Sequence, residues 1–211
     1  MKTSISMLVA TACLYAGGAV AGPSRDLGRA DITGATLATQ VCSMCHGVKG
    51  VSVSPNFPNL AAQQPAYVTA QLKAFRDKSR EDPAGFEYMW GISRHLTDEQ
   101  VDSLASYYAA QSPTAQPAEG TPQHADAGRT LFEQGAPDRA IPACSSCHGD
   151  HGQGLAGFPR LAGQHADYVR KQLLVFRNTD QRPEGAVMKV VAHGLDAHDI
   201  ADVADYVQTL H

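Results

Sequence analysis

The apolar positions of the chain recur at helical spacing, and they do so twice. Val68, Leu72 and Phe75 share one face of a helix, and Val169, Leu173 and Phe176 repeat the arrangement. A first helix is predicted to begin near Asp31, with Gly34 and Ala38 on one face. Its counterpart begins near Ala125, with Gly128 and Phe132. The last helix of each copy carries start signals. Thr97 with Gln100 forms a capping box, and Leu96 is placed to pack on Val101. Asp196 is the matching cap, with Leu195 against Ile200. No run alternates long enough to make a strand, so the expected fold class is all-α.

The repeat extends beyond helix periodicity. Phe57-Pro58-Asn59-Leu60-Ala61 returns as Phe158-Pro159-Arg160-Leu161-Ala162. Tyr67-Val68, Gln71-Leu72 and Phe75-Arg76 return as Tyr168-Val169, Gln172-Leu173 and Phe176-Arg177. Met89, Leu96, Ala105 and Tyr107 match Met188, Leu195, Ala204 and Tyr206. The main local difference is an insertion in the second copy, around Ala136 to Pro142. One module has been used twice.

Between the copies, Pro113, Pro117 and Pro122 stand among small polar residues, the composition of a semi-extended linker. The expected organisation is a signal segment over 1–21, one domain over 22–112, a linker over 113–123 and a second domain over 124–211. Each domain is too small to bury a large core unaided. Within the signal segment, Lys2 precedes a short apolar run from Ile5 to Ala16, and Ala19-Val20-Ala21 is a small-x-small cleavage site. The run is short of the ~20 residues that a spanning helix needs. Export to the periplasm with cleavage after Ala21 is therefore expected. The formal net charge is −4, and no basic run points to nucleic acid.

One motif carries the chemistry. Cys42-Ser43-Met44-Cys45-His46 and Cys144-Ser145-Ser146-Cys147-His148 have the spacing of a c-type haem attachment site. Each thiol adds to a vinyl group of the haem, and the adjacent His lies under the iron. At this chain's Cys and His frequencies, one chance copy arises in roughly one chain in two hundred, so two copies are a strong signal. A thioredoxin-like dithiol needs a βαβ context that is absent here. A four-cysteine zinc ribbon needs the pairs roughly 15–20 residues apart. Two covalently bound haem c groups are expected, held by Cys42, Cys45, Cys144 and Cys147.

The second axial position separates a carrier from an enzyme. Methionine raises the potential and is usual in electron-transfer haems. Met1 and Met7 lie in the signal segment, and Met44 is locked between the attachment cysteines. That leaves Met89 and Met188, one per module at matching positions, with His95 and His193 as competitors. A proximal His needs an acceptor on its other ring nitrogen, and the carbonyls of Pro58 and Pro159 are candidates. Arg76 and Arg177 are weighed as haem-propionate partners against simple exposed helix arginines. Tyr88 and Trp90 flank Met89 with no decision between haem contact and packing. Tyr107 and Tyr206 are expected to pack on the first helices, and His124, His151, His165, His198 and His211 to be surface or loop residues.

With these motifs in place, the chain resembles the cytochrome c4 family of di-haem class I cytochromes. Phe158-Pro159-Arg160-Leu161-Ala162-Gly163-Gln164-His165 carries the likeness most strongly, while the first copy departs at Ala62-Gln63-Gln64. The resemblance implies two tandem class I cytochrome c domains related by internal duplication. It also implies axial ligation by His46 with Met89 and His148 with Met188, and propionates facing each other across the domain contact. The expected function is that of a periplasmic single-electron carrier rather than an enzyme. A quinol-oxidising complex or a dehydrogenase is the expected donor and a terminal oxidase the expected acceptor. Peripheral membrane association stays open. The alternatives are the cytochrome subunit of a dehydrogenase, flavocytochrome-like, and a di-haem enzyme such as a peroxidase or thiosulfate dehydrogenase.

Overall fold

The computed structural model describes Arg29, residues 31–114 and residues 122–211. The signal segment and most of the linker lie outside those residues. The described chain is helical. Its only extended pairings are two isolated bridges, Ala136 with Ile141 and Leu155 with Phe158.

The first module opens with α1 (Gly34–Leu37), which passes through a π-helical segment, Ala38–Cys42, into α2 (Ser43–His46). Three longer helices follow: α3 (Pro65–Arg76), α4 (Pro83–Ser93) and α5 (Asp98–Ala109). The second module repeats the plan with α6 (Pro122–Gln134), α7 (Ser145–His148), α8 (Ala166–Asn178), α9 (Ala186–His193) and α10 (Ala197–Thr209). Thr97 and Asp196 both close complete capping boxes, with Gln100 and Asp199 as reciprocal partners. The proline at the head of α3 and of α4 costs nothing, because the first helical N–H has no partner to lose.

Each module is built on a crossing of its first and last helices, and glycine permits the approach. A Cβ on Gly34 would stand 2.4 Å from the backbone of Ser103, and one on Gly128 would stand 2.0 Å from the Asp202 carbonyl oxygen. Around the first crossing Leu37, Ala38, Leu96, Val101, Leu104 and Tyr108 are buried together. The second core is larger and draws on α6, α8 and α10, with Phe132, Val169, Leu173, Phe176, Val203 and Val207. The inserted segment contributes as well. Ala136 and Ile141 exchange backbone hydrogen bonds, which folds the loop back and seats Ile141 in that core.

The modules meet along a polar seam with approximate two-fold character. The Gln63 amide donates to the Arg160 carbonyl and accepts from the Arg160 N–H. Gln164, its counterpart, makes the same pair of bonds with the backbone of Asn59. Gly34→Ala and Gly128→Ala are each expected to lower stability by about 1–3 kcal/mol, since backbone must move to admit the methyl group. Gly91→Ala, on α4 with open space around it, is expected to raise stability by about 0.5–1 kcal/mol. Thermal unfolding of the three variants checks both signs.

Candidate haem sites and the seam between them

The local fold of each cysteine motif follows from one helical turn. Cys42, Cys45 and His46 lie three and four residues apart, so the turn through α2 presents all three on one side. Cys144, Cys147 and His148 do the same through α7. The π-helical segment delivers Cys42 to this turn. In the second module a broken helix and the inserted loop deliver Cys144. Glycine ends both turns in the left-handed region, Gly47 at φ 73° and Gly149 at φ 84°. A Cβ on Gly47 would stand 2.1 Å from the Val51 carbonyl oxygen, so the chain turns away from the histidine at the earliest point. None of the four cysteines is in a disulfide.

Both histidines are buried, and each Nδ1 lies 2.9 Å from a proline carbonyl oxygen, Pro58 for His46 and Pro159 for His148. A carbonyl oxygen can only accept, so the proton sits on Nδ1 and the Nε2 lone pair is free. Burial lowers the pKa of each imidazole below its ordinary value and outweighs the proline carbonyl, which raises it. The result is a neutral, oriented ring with one open nitrogen, which is what a proximal iron ligand requires. Phe57 and Phe158 meet the rings edge-on at 6.2 and 6.1 Å. The donor set therefore fits a covalently held haem: two unpaired thiols and one free imidazole nitrogen on a single turn. Among the described residues no group of three His, Cys, Asp or Glu side chains is arranged to hold a metal ion.

The two methionines stand at equivalent places, Met89 within α4 and Met188 within α9, each partly buried. Met188 packs against the second core. Tyr88, beside Met89, meets Phe57 edge-on at 6.1 Å, which links α4 to the His46 ring through one aromatic side chain. Trp90 turns elsewhere. Phe86 stacks on it, and the cations of Lys78 and Arg94 lie over its ring. His95 and His193 are exposed.

Arg76 and Arg177 are half-buried rather than freely exposed. They donate to the carbonyls of Leu96 and Leu195 and so tie the loop before each last helix to the middle helix. Tyr206 packs on α6, in contact with Phe132, and Tyr107 donates to the Val48 carbonyl. His165 is a correction. It is buried, and its Nε2 lies 3.0 Å from the Ser52 carbonyl oxygen across the seam. That partner belongs to the other module, which no local pattern reveals.

The seam also holds a cluster that sequence reasoning missed. Arg80 and Arg182 are 4 % and 6 % exposed. Each guanidinium lies 4.4 Å over a phenyl ring, Phe75 for Arg80 and Phe176 for Arg182. The amide oxygens of Gln71 and Gln172 each accept from both arginines. Asp82 holds Arg80 at 2.6 Å and Glu184 holds Arg182 at 2.8 Å. Gln71 and Gln172 recur in the repeat beside the apolar positions of α3 and α8. A polar residue repeated on a buried helix face was the available signal.

The sites and the helical pair define a class of protein. The cytochrome c family model matches residues 32–110 and 125–211, and the chain belongs to that family. Its likeness within the family is to cytochromes c4. Cytochrome c4 of Thiocapsa roseopersicina is 40% identical over 84% of this chain and 91% of its own length. The crystal structure of reduced recombinant cytochrome c4 from Pseudomonas stutzeri superposes with a TM-score of 0.76 at 38% identity, covering 84% of this chain and 97% of that one. A protein of Stutzerimonas stutzeri described as a thiosulfate dehydrogenase electron acceptor is 34% identical over 82% of this chain and 80% of its own length. The protein is a di-haem c-type electron carrier, with one haem attached at each Cys-x-x-Cys-His turn.

Asp82 tests the seam. Burial would raise its pKa, but the Arg80 hydrogen bond and charge and the Gln172 amide outweigh that and hold it below the usual carboxylate range. Its contribution to stability is present above the unfolded-state pKa and is lost as pH falls through the depressed folded value. Asp82→Asn is expected to cost about 3–5 kcal/mol at neutral pH by leaving Arg80 buried without its counter-ion. The gap to the parent protein should close as pH falls below 4, roughly the unperturbed carboxylate value, when unfolding is followed at several pH values.

Proposed function

We propose that His46 with Met89 and His148 with Met188 are the axial ligand pairs, and that the protein relays single electrons outside the cytoplasm. The observation that carries this reading is the matched pair of imidazoles, each fixed through Nδ1 to a proline carbonyl with Nε2 free. One methionine per module, on equivalent helices, supports a closed sixth position in both. When bound, each haem supplies one-electron exchange between ferric and ferrous iron. The chain's own work is to hold the imidazoles neutral and oriented, to keep water from the buried faces and to set the two modules at a fixed distance.

Residues 22–112 and 124–211 are the two haem-bearing units in this reading, joined by the linker over 113–123. Absence of a catalytic activity of its own belongs to the same proposal, because a methionine at each iron leaves no open coordination position for a substrate. Among the described residues no helix is long and apolar enough to cross a membrane. The signal segment expected over 1–21 is what supports a periplasmic carrier cleaved after Ala21. The donor is a quinol-oxidising complex or a dehydrogenase and the acceptor a terminal oxidase. The relative described as a thiosulfate dehydrogenase electron acceptor favours the dehydrogenase as donor.

The test is spectroscopic. The purified ferric protein is expected to show two low-spin His/Met signals at neutral pH, and a high-spin haem there would sink the carrier reading. Met188→Ala is expected to leave both haems covalently attached, open one iron to added ligands such as imidazole, and lower one midpoint potential. Met89→Ala should do the same at the other iron. Unchanged ligand binding in either variant removes that methionine from the site.

A further inference from the structure

One buried polar group has no role in the account so far. Tyr108 on α5 is 2 % exposed, and its hydroxyl has no hydrogen-bond partner. Its ring fills the space over Gly50, where a Cβ would stand 2.8 Å from the Tyr108 Cδ1. Burial and the Cys42 thiol together push the phenol well above its usual range. The influence is mutual: burial raises the Cys42 thiol, and the Tyr108 hydroxyl opposes it. Cys42 packs against the buried cluster that contains Tyr108, so its sulfur is the polar neighbour of a hydroxyl that nothing else satisfies.

The second module fills the same space with hydrocarbon. Tyr107 matches Tyr206, so Val207 stands where the first module has Tyr108. Across the helix crossing the sizes are reversed, with Ala38 in the first module and Phe132 in the second. Phe132 Cζ and Leu210 Cδ1 approach Gly152 in the way that Tyr108 approaches Gly50. Packing therefore does not need the hydroxyl. Near Cys144 the polar group is the Leu131 carbonyl oxygen, 4.0 Å from Sγ, which can only accept.

We propose that the Tyr108 hydroxyl donates its hydrogen bond to the Cys42 sulfur once that sulfur is a thioether, and that this bond sets the first haem's potential apart from the second's. The proposal rests on Cys42 being an attachment residue. In attachment the S–H bond breaks, an S–C bond forms to one vinyl carbon, and the hydrogen passes to the other, with no external oxidant or reductant. The sulfur then has no proton and is an acceptor only. A donor aimed at it in a dry interior draws electron density from the edge of the ring, which favours the added electron. Tyr108 thereby raises the potential of the first haem. The second has no such buried donor: the Ser146 hydroxyl, 3.9 Å from Cys147 Sγ, is exposed, and water competes for it.

The experiment compares the holoprotein with Tyr108→Phe by spectroelectrochemical titration. The expected result is two haems still covalently attached, unchanged low-spin spectra, and a fall in one of the two midpoint potentials only. Repeating the titration in Met188→Ala protein, where the second haem is separately displaced, assigns the fall to the first. If Tyr108→Phe does not accumulate, Ala38→Phe with Tyr108→Val copies the packing of the second module and reads the same difference. Titrations that superimpose on the parent protein, or that shift both potentials equally, overturn the proposal and leave Tyr108 as a space-filling residue. Haem staining of denatured protein separates this from failure of the site reading: loss of covalent haem from the parent N-terminal module would overturn the attachment role of Cys42 itself.

Discussion

The imidazole of each module depends on a single hydrogen bond, and the rest of the module is arranged to keep it. His46 and His148 are buried, which favours the neutral ring, but neutrality alone leaves the tautomer and the ring orientation undecided. The proline carbonyl decides both. For that carbonyl to sit 2.9 Å from Nδ1, the chain must reverse immediately after the histidine. Gly47 and Gly149 supply the reversal through a left-handed backbone that a side chain would strain. The loop must then be held while it travels to the proline. In the first module the Ser52 hydroxyl donates to the Cys45 carbonyl, and in the second the Gly154 N–H donates to the His148 carbonyl. Different atoms meet one geometric demand, which is why the loops diverge in sequence while the histidines do not.

Much of this was legible because it is local. A cysteine motif of fixed spacing occupies one helical turn, and capping boxes at Thr97 and Asp196 declare themselves within four residues. The proline carbonyls were readable for a related reason: the histidine needs an acceptor, and Pro58 and Pro159 recur at nearly the same distance. What could not be read has its partner in the other module. His165 is an ordinary loop histidine until Ser52 closes over it. Arg80 and Arg182 are ordinary basic residues until Gln71 and Gln172 bring them together. Arg76 and Arg177 show the converse. Their recurrence goes with a shared structural duty, holding the Leu96 and Leu195 loops, which the sequence pattern does not spell out.

The seam is polar for a physical reason. An apolar seam would bind the modules firmly but would tolerate many registers, whereas side-chain amides paired to specific backbone groups tolerate few. Gln63 and Gln164 each satisfy a donor and an acceptor on the facing loop, so sliding by one residue would strand four groups. Those facing loops follow Pro58 and Pro159 directly. The same backbone that orients the histidine also fixes its module against the other, and the distance between the two haem sites is set by the residues that orient them.

Duplication explains the symmetry, and packing explains where it ends. The first and last helices of each module cross at a glycine, and the volume beside the crossing must be filled. The first module fills it from α5 with Tyr108 opposite Ala38, and the second from α6 with Phe132 opposite Val207. Either division of volume gives a sound core, so stability does not choose between them. The two differ in a buried hydroxyl beside the first attachment cysteine, where the second module has only the exposed hydroxyl of Ser146. An exchange that is neutral for folding therefore leaves the two sites chemically unequal, and two sites of unequal potential are what gives a di-haem carrier a preferred direction for its electrons.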